Sequence, residues 1–318
     1  MKKVVYTMLA LVAVTLAGCG SNQKTASSSS SETATSSSSA ASITVKDSDG
    51  AEVKVPTNPE KVVVFDNGSL DTMDALGVGD AVIGAPTENL PEYLATYSDV
   101  ENAGGIKEPD LEKINQLQPD LIIISGRQSD FKEDLSAIAP TLYLAVDGSD
   151  PWNSTKENIT TLAKIFQKEG EAKNQIADLE NEIAELKTGA AKAGKALVVL
   201  VNEGQLSAYG AGSRFGIIHD TFGFAQADDQ IEASTHGQSV SYEYVLEKNP
   251  DVLFVIDRTQ AIGGDDTNNN VADNELVKET NAGKNGKVIP LQPDVWYLSG
   301  GGLESTQTML EDVQKALE

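Results

Sequence analysis

Two arginines occupy matched places in a sequence that repeats itself. Leu111-Glu112-Lys113-Ile114, followed by Pro119-Asp120-Leu121-Ile122-Ile123-Ile124, corresponds to Tyr242-Glu243-Tyr244-Val245, followed by Pro250-Asp251-Val252-Leu253-Phe254-Val255. The offset is constant, since 243 lies 131 positions after 112 and 250 lies 131 after 119. Arg127 and Arg258 keep that offset. Each copy reads as a short helix, a Pro-Asp turn and a buried strand, so each arginine falls just past the carboxyl end of a strand. In open α/β sheets that end lines the ligand crevice. Taken singly, either arginine reads as an ordinary surface cation. Matched in two facing halves, they put one guanidinium on each side of a shared cleft, where a planar fork of donors pairs with oxygen anions.

Other residues with chemistry are few. Histidine occurs only as His219 and His236. His219 lies in the amphipathic run Arg214–His219 and reads as structural. His236 lies in the polar loop Ser234-Thr235-His236-Gly237-Gln238, where indifferent solvent exposure and contact with a ligand are both open. Asp294-Val295-Trp296-Tyr297-Leu298-Ser299 sets two aromatics ahead of the glycine run 300–302, in a chain that is only 5% aromatic. Trp296 reads as core. Tyr297, if it faces the cleft, offers a hard phenolate oxygen suited to ferric iron, and a bound metal lowers a phenol pKa from its usual value near 10. G-x-S-x-G, G-x-x-x-x-G-K-[ST] and H-E-x-x-H patterns are absent from the sequence, so no familiar nucleophile, phosphate loop or zinc-protease helix is on offer.

The elements that must position these residues alternate. A hairpin is expected around Asp49-Gly50. Short β-rich runs at Lys61–Phe65, Ala81–Gly84, Asp120–Ser125 and Thr141–Leu144 alternate with helix-like segments, and the alternation resumes at Lys195–Val201, which predicts an α/β fold with largely parallel sheets. Between them, residues 153–188 read as one or two long helices. Ser154 and Glu157 form a capping-box pattern, and Ile159, Leu162, Ala163 and Phe166 recur at helical spacing. The organisation expected is an N-terminal α/β lobe over 43–150, bridging helices over 151–190 and a C-terminal α/β lobe over 191–318.

The first 42 residues are of a different kind. Lys2 and Lys3 precede an apolar run of about fourteen residues, short of the roughly twenty that cross a membrane. Leu16-Ala17-Gly18-Cys19 then reads as a lipoprotein cleavage box, making 1–18 a signal peptide and Cys19 the lipidated first residue of the mature chain. Cys19 is the only cysteine in 318 residues, which excludes intrachain disulfides and cysteine-based metal sites. Residues 19–42 form a tether whose Ser/Ala/Thr-rich part, Thr25–Ser42, cannot bury a core and spans roughly 25 Å on average. A tether of this kind suits lipid anchoring on the outer face of a Gram-positive cell membrane. The formal net charge of −24 argues against nucleic acid as a partner.

The segments Lys46–Pro59 with Lys61–Val64, Leu111–Arg127, Ser207–Phe224, Thr235–Gly237 with Glu243–Arg258, and Trp296–Ser305 together resemble the siderophore-binding lipoproteins of the helical-backbone class (class III) of ABC-importer solute-binding proteins, ferric catecholate and petrobactin type. The resemblance covers nearly the whole folded region. It implies two α/β lobes bridged by a long rigid helix, with the ligand cleft between them. It implies three ligand-binding arginines, here Arg127, Arg214 and Arg258, and a histidine and tyrosine that complete iron coordination, here His236 and Tyr297. Glu112 and Glu243 match the glutamates that dock on the ABC permease. No cofactor would be permanently bound, ferric iron being carried as the siderophore complex, and the protein would act as a monomer. Charge agrees, since ferric iron with three catecholates carries three negative charges and with two carries one, leaving two coordination positions open. Haem, cobalamin or a hydroxamate chelate are rival cargoes within the class. A surface adhesin or a hydrolase using carboxylates is the alternative outside it.

Overall fold

The computed structural model describes residues 41–318, apart from 266 and 268. The signal peptide, Cys19 and nearly all of the tether lie outside the described residues. Strands β1 (Ser42–Lys46) and β2 (Glu52–Pro56) form the expected hairpin, with Gly50 in its turn at φ +78. Ser42, which composition assigns to the tether, already pairs with Pro56.

A five-stranded sheet follows, built from β3 (Val62–Val64), β4 (Val82–Ala85), β5 (Glu101–Asn102), β6 (Leu121–Ile124) and β7 (Thr141–Tyr143). Its order is β5-β4-β3-β6-β7 and every pairing is parallel. Val62-Val63-Val64 and Leu121-Ile122-Ile123-Ile124 are wholly buried, as expected where helices cover both faces of a parallel sheet. Two of those helices concern the site: α1 (Asn67–Ala75) and α2 (Leu111–Leu117).

The bridge is two helices, α3 (Pro151–Ile165) and α4 (Glu169–Ala190). Ser154 does not cap α3. Pro151 starts the helix one turn earlier, where its missing N–H costs nothing, and the Ser154 hydroxyl instead donates to the carbonyl of Asp150 at 2.8 Å. A single continuous rod is interrupted at Gln167, which adopts φ +56 between the two helices. Helix α4 is 22 residues long, about 33 Å. Helix α3 joins the halves through packing. Its Leu162 and Ile165 enter the core beneath the first sheet, and its Ile159 and Ala163 enter the core of the second.

The second sheet comprises β8 (Lys195–Asn202), β9 (Gln205–Tyr209), β10 (Ala225–Gln226), β11 (Gln238–Val240), β12 (Val252–Asp257) and β13 (Val288–Pro290), ordered β11-β9-β8-β12-β13 with β10 beside the start of β8. Strands β8, β12 and β13 are parallel, whereas β9 and β11 add an antiparallel edge. The edge arises because Glu203 and Gly204 both take positive φ, a tight turn that returns the chain directly along β8. Helices α5 (Tyr242–Lys248), α6 (Pro293–Leu298) and α7 (Leu303–Gln314) complete the part that bears on the site.

The sequence repeat is a structural repeat down to its caps. Asp110 accepts from the Lys113 N–H at 2.9 Å to start α2, and Ser241 accepts from the Tyr244 N–H at 3.3 Å to start α5. Gln118 (φ 48, ψ 61) and Asn249 (φ 45, ψ 60) end them in the left-handed conformation. The following aspartates tie each turn to a neighbouring strand: Asp120 accepts from the Lys61 N–H at 3.1 Å and Asp251 from the Lys195 N–H at 2.9 Å.

The halves also meet away from the bridge, where α1 packs against the Gly300–Gly302 turn and α7. A Cβ at Gly68 would collide with the carbonyl oxygen of Gly300. Gly68→Ala therefore overpacks backbone against backbone and should lower stability by about 1–3 kcal/mol, measured by urea unfolding.

Candidate ligand cleft

Both sheets reverse their strand order at one point, between β3 and β6 in the first and between β8 and β12 in the second. A crevice opens at the carboxyl ends of such strand pairs. Arg127 follows β6 and Arg258 follows β12, so the repeat delivers each arginine to the switch point of its own sheet. Arg258 begins a short helical turn capped by the Asp257 carboxylate, which accepts from the Gln260 N–H at 3.0 Å. Arg214 reaches the same place from the turn after β9, where its N–H donates to the Ser234 carbonyl at 3.3 Å.

All three guanidinium groups converge on Tyr297. Arg127 Nη2 donates to the Tyr297 carbonyl oxygen at 2.8 Å, and Arg214 Nη2 donates to that same oxygen at 2.5 Å. Arg258 Nε donates to the Tyr297 phenol oxygen at 2.7 Å. Two cations lie close to the ring, with the Arg214 guanidinium carbon 4.4 Å and that of Arg258 5.5 Å from its centroid. Arg127 comes from the first half of the chain and the other three residues from the second, so the cluster spans the lobes.

Three cations and one buried carboxyl set the electrostatics. Burial, and then the charge of Arg214, lower the Arg127 pKa. Asp66, at the end of β3, is the nearby counter-charge; burial raises its pKa while Arg127 and its bonds to Ser69 oppose the rise. Burial alone would raise the Tyr297 phenol, but the hydrogen bond and charge of Arg258 and the charge of Arg214 outweigh it, and its pKa falls below the ordinary tyrosine value. The cluster thus sets three cations around a phenol whose pKa is lowered, in a chain of strongly negative net charge.

His236 stands on the adjoining loop with its imidazole exposed. Its backbone is fixed beside the Arg214 turn: the carbonyl accepts from the Tyr209 hydroxyl at 3.0 Å, and the Tyr209 ring packs edge-on against Phe215 at 4.7 Å. Glu112 and Glu243 are exposed in the first turns of α2 and α5. Each of these helices runs back along its sheet, placing that first turn towards the carboxyl ends of the strands. Trp296 is buried and its indole N–H donates to Asp312 at 3.0 Å, while His219 is held by the Phe224 carbonyl at 2.9 Å, both as structural residues. Asn202 was not legible as a site residue. Its side-chain oxygen accepts from Arg258 Nη1 at 2.6 Å at the end of β8. A polar residue closing the strand beside the switch point is the signal that marks both it and Asp66.

Residues 62–295 match the model of the periplasmic binding protein family. The chain belongs to that family. The petrobactin-binding protein YclQ of Bacillus subtilis is 50% identical over 323 positions, covering 100% of both chains. Its crystal structure superposes with a TM-score of 0.85 over 87% of this chain and 99% of that one. The iron-uptake ABC transporter substrate-binding protein PiuA of Streptococcus pneumoniae is 48% identical, with a TM-score of 0.84 over 87% and 100% of the two chains. The periplasmic catecholate-siderophore binding protein VctP of Vibrio cholerae is 31% identical, with a TM-score of 0.80 over 86% and 100%. More distant Bacillus subtilis relatives carry the name of substrate-binding or siderophore-binding lipoproteins. Family and named relatives are binding proteins, and the two-lobe α/β fold expected from sequence is the fold of this chain.

Spectrophotometric titration of tyrosine ionisation should reveal one phenol that deprotonates below the ordinary range. That component should vanish in Tyr297→Phe and move upward in Arg258→Ala. An unchanged titration curve in both variants would contradict the cleft electrostatics.

Proposed function

We propose that this protein captures a ferric catecholate siderophore outside the cell and delivers it to an ABC importer for iron uptake. The observation that carries the reading is the convergence of Arg127, Arg214 and Arg258 from two lobes on one point. Two of these cations share a single neutral carbonyl, and the oxygens of an anionic chelate would pair with them more strongly. Hexacoordinate iron with three catecholates brings three negative charges for three guanidiniums. Iron with two catecholates leaves two positions, which the Tyr297 phenolate and the His236 imidazole would fill. A neutral hydroxamate chelate gains less from three cations, and the relatives named for petrobactin and catecholate siderophores support the same cargo class.

The remaining roles follow the same reading. Glu112 and Glu243 would dock the loaded protein on the permease. Their helices are braced for it, α2 by the ion pair of Lys113 with Glu101 at 2.5 Å and α5 by that of Lys248 with Asp228 at 2.9 Å. Lipid on Cys19 would hold the monomeric protein at the outer face of the membrane. Iron would arrive and leave as the intact chelate, with no covalent step and no resident cofactor.

Titrating ferric bis- and tris-catecholates against intrinsic fluorescence should give saturable quenching at submicromolar ligand, and no quenching at micromolar ligand would defeat the proposal. Arg127→Ala should weaken binding by about tenfold or more, up to the roughly thousandfold ceiling set by an ion pair worth at most about 4 kcal/mol at about 4 Å near a protein surface.

A further inference from the structure

Tyr297 depends on a segment that the opposite lobe grips along its length. Helix α6, which carries it, ends at Leu298, and the chain passes through Ser299 and Gly300–Gly302 into α7. The first lobe bonds to this path repeatedly. The Glu92 N–H donates to the Asp294 carboxylate at 2.9 Å, and Asn67 Nδ2 donates to the Leu298 carbonyl at 3.0 Å. The Tyr93 hydroxyl shares a 2.6 Å hydrogen bond with the Ser299 hydroxyl and reaches Asp71 at 3.2 Å.

Asp71 is the centre of this contact. It is fully buried on α1, and its carboxylate accepts from the Glu304 N–H at 2.8 Å and the Ser305 N–H at 2.7 Å. Those are unpaired donors of the first turn of α7, a twelve-residue helix that its own N-cap, Gly302, cannot serve with a side chain. A carboxylate from one lobe therefore caps a helix of the other. Gly302 has no room for a Cβ, which would strike Asp71, so the fit admits neither a larger residue at 302 nor a longer acid at 71.

We infer that Asp71 is a positioning residue for the cleft, setting the orientation of Tyr297 by fixing the amino end of α7 across the lobe interface. This rests on Tyr297 acting as an iron ligand for chelates that leave coordination positions open. A mere strut would support all ligands equally. A residue that orients Tyr297 matters only where the phenolate is needed.

The test compares a ferric tetradentate bis-catecholate with a ferric hexadentate tris-catecholate on the purified chain, using fluorescence titration and the resonance Raman bands of iron-bound tyrosinate. Asp71→Asn keeps the shape and removes the charge and one acceptor. It should weaken the bis-catecholate about tenfold, change the tris-catecholate by less than about twofold, and diminish the tyrosinate bands. Tyr93→Phe, which removes only a hydroxyl, should show the same selectivity at roughly threefold and decides the matter if Asp71→Asn fails to fold. Equal loss for both chelates, or no loss for either, overturns the inference while leaving the proposed function standing. If Tyr297→Phe leaves bis-catecholate binding and the bands of the parent protein unchanged, the reading of Tyr297 as a ligand fails, and the role of Asp71 fails with it.

Discussion

Two guanidinium groups from opposite lobes donate to one backbone oxygen, that of Tyr297. Like charges so placed repel, and a neutral carbonyl dipole answers only part of the repulsion. The fold must hold them there against that repulsion. The remaining features of the cleft follow from this constraint. Asn202, the last residue of β8, accepts from Arg258, and Asp66, two residues past β3, acts on Arg127 through its charge. The phenol between Arg214 and Arg258 is pushed towards its ionised form, which is the form that binds a hard metal ion.

The scaffold meets the constraint by using one unit twice. Each copy ends a short helix in a left-handed residue, turns through Pro-Asp, and runs a buried apolar strand, closed by Asp257 in the second copy, to the strand end from which its arginine follows. The aspartate of each turn bonds to the start of the neighbouring strand, so the register that sets the arginine is fixed at the far end of the strand. The α3 helix, packed into both cores, holds the two units against each other. The strong negative charge of the chain as a whole makes the positive cleft a local exception, which favours recognition of an anion there over indiscriminate attraction along the surface.

Much of this was legible in the residues because it is periodic or repeated. Arg127 and Arg258 were placed by their shared offset, and the apolar runs identified the buried strands. What escaped was set by tertiary contact. That the bridge is two helices lies within the sequence expectation, but the place of the break, Gln167, carries no helix-stop signal, and Ser154 mimics a cap inside a helix that Pro151 has already begun. The Gly300–Gly302 run, which the sequence marks only as glycines after two aromatics, is a close-contact surface between the lobes. Asp71 looks like any polar residue on a helix, since nothing in a linear sequence shows that its carboxylate serves a helix more than two hundred residues away. Arg214 stands outside the repeat, and only its resemblance to family members marked it before the convergence on Tyr297 was seen.

The most direct test of the central claim is an iron-edge anomalous difference map from crystals of the protein loaded with a ferric bis-catecholate. The account predicts a single iron peak between the lobes within bonding distance of the Tyr297 phenol oxygen, with Arg127 and Arg214 turned from the Tyr297 carbonyl to the catecholate oxygens. Iron bound elsewhere, with both guanidiniums still on that carbonyl, would contradict it.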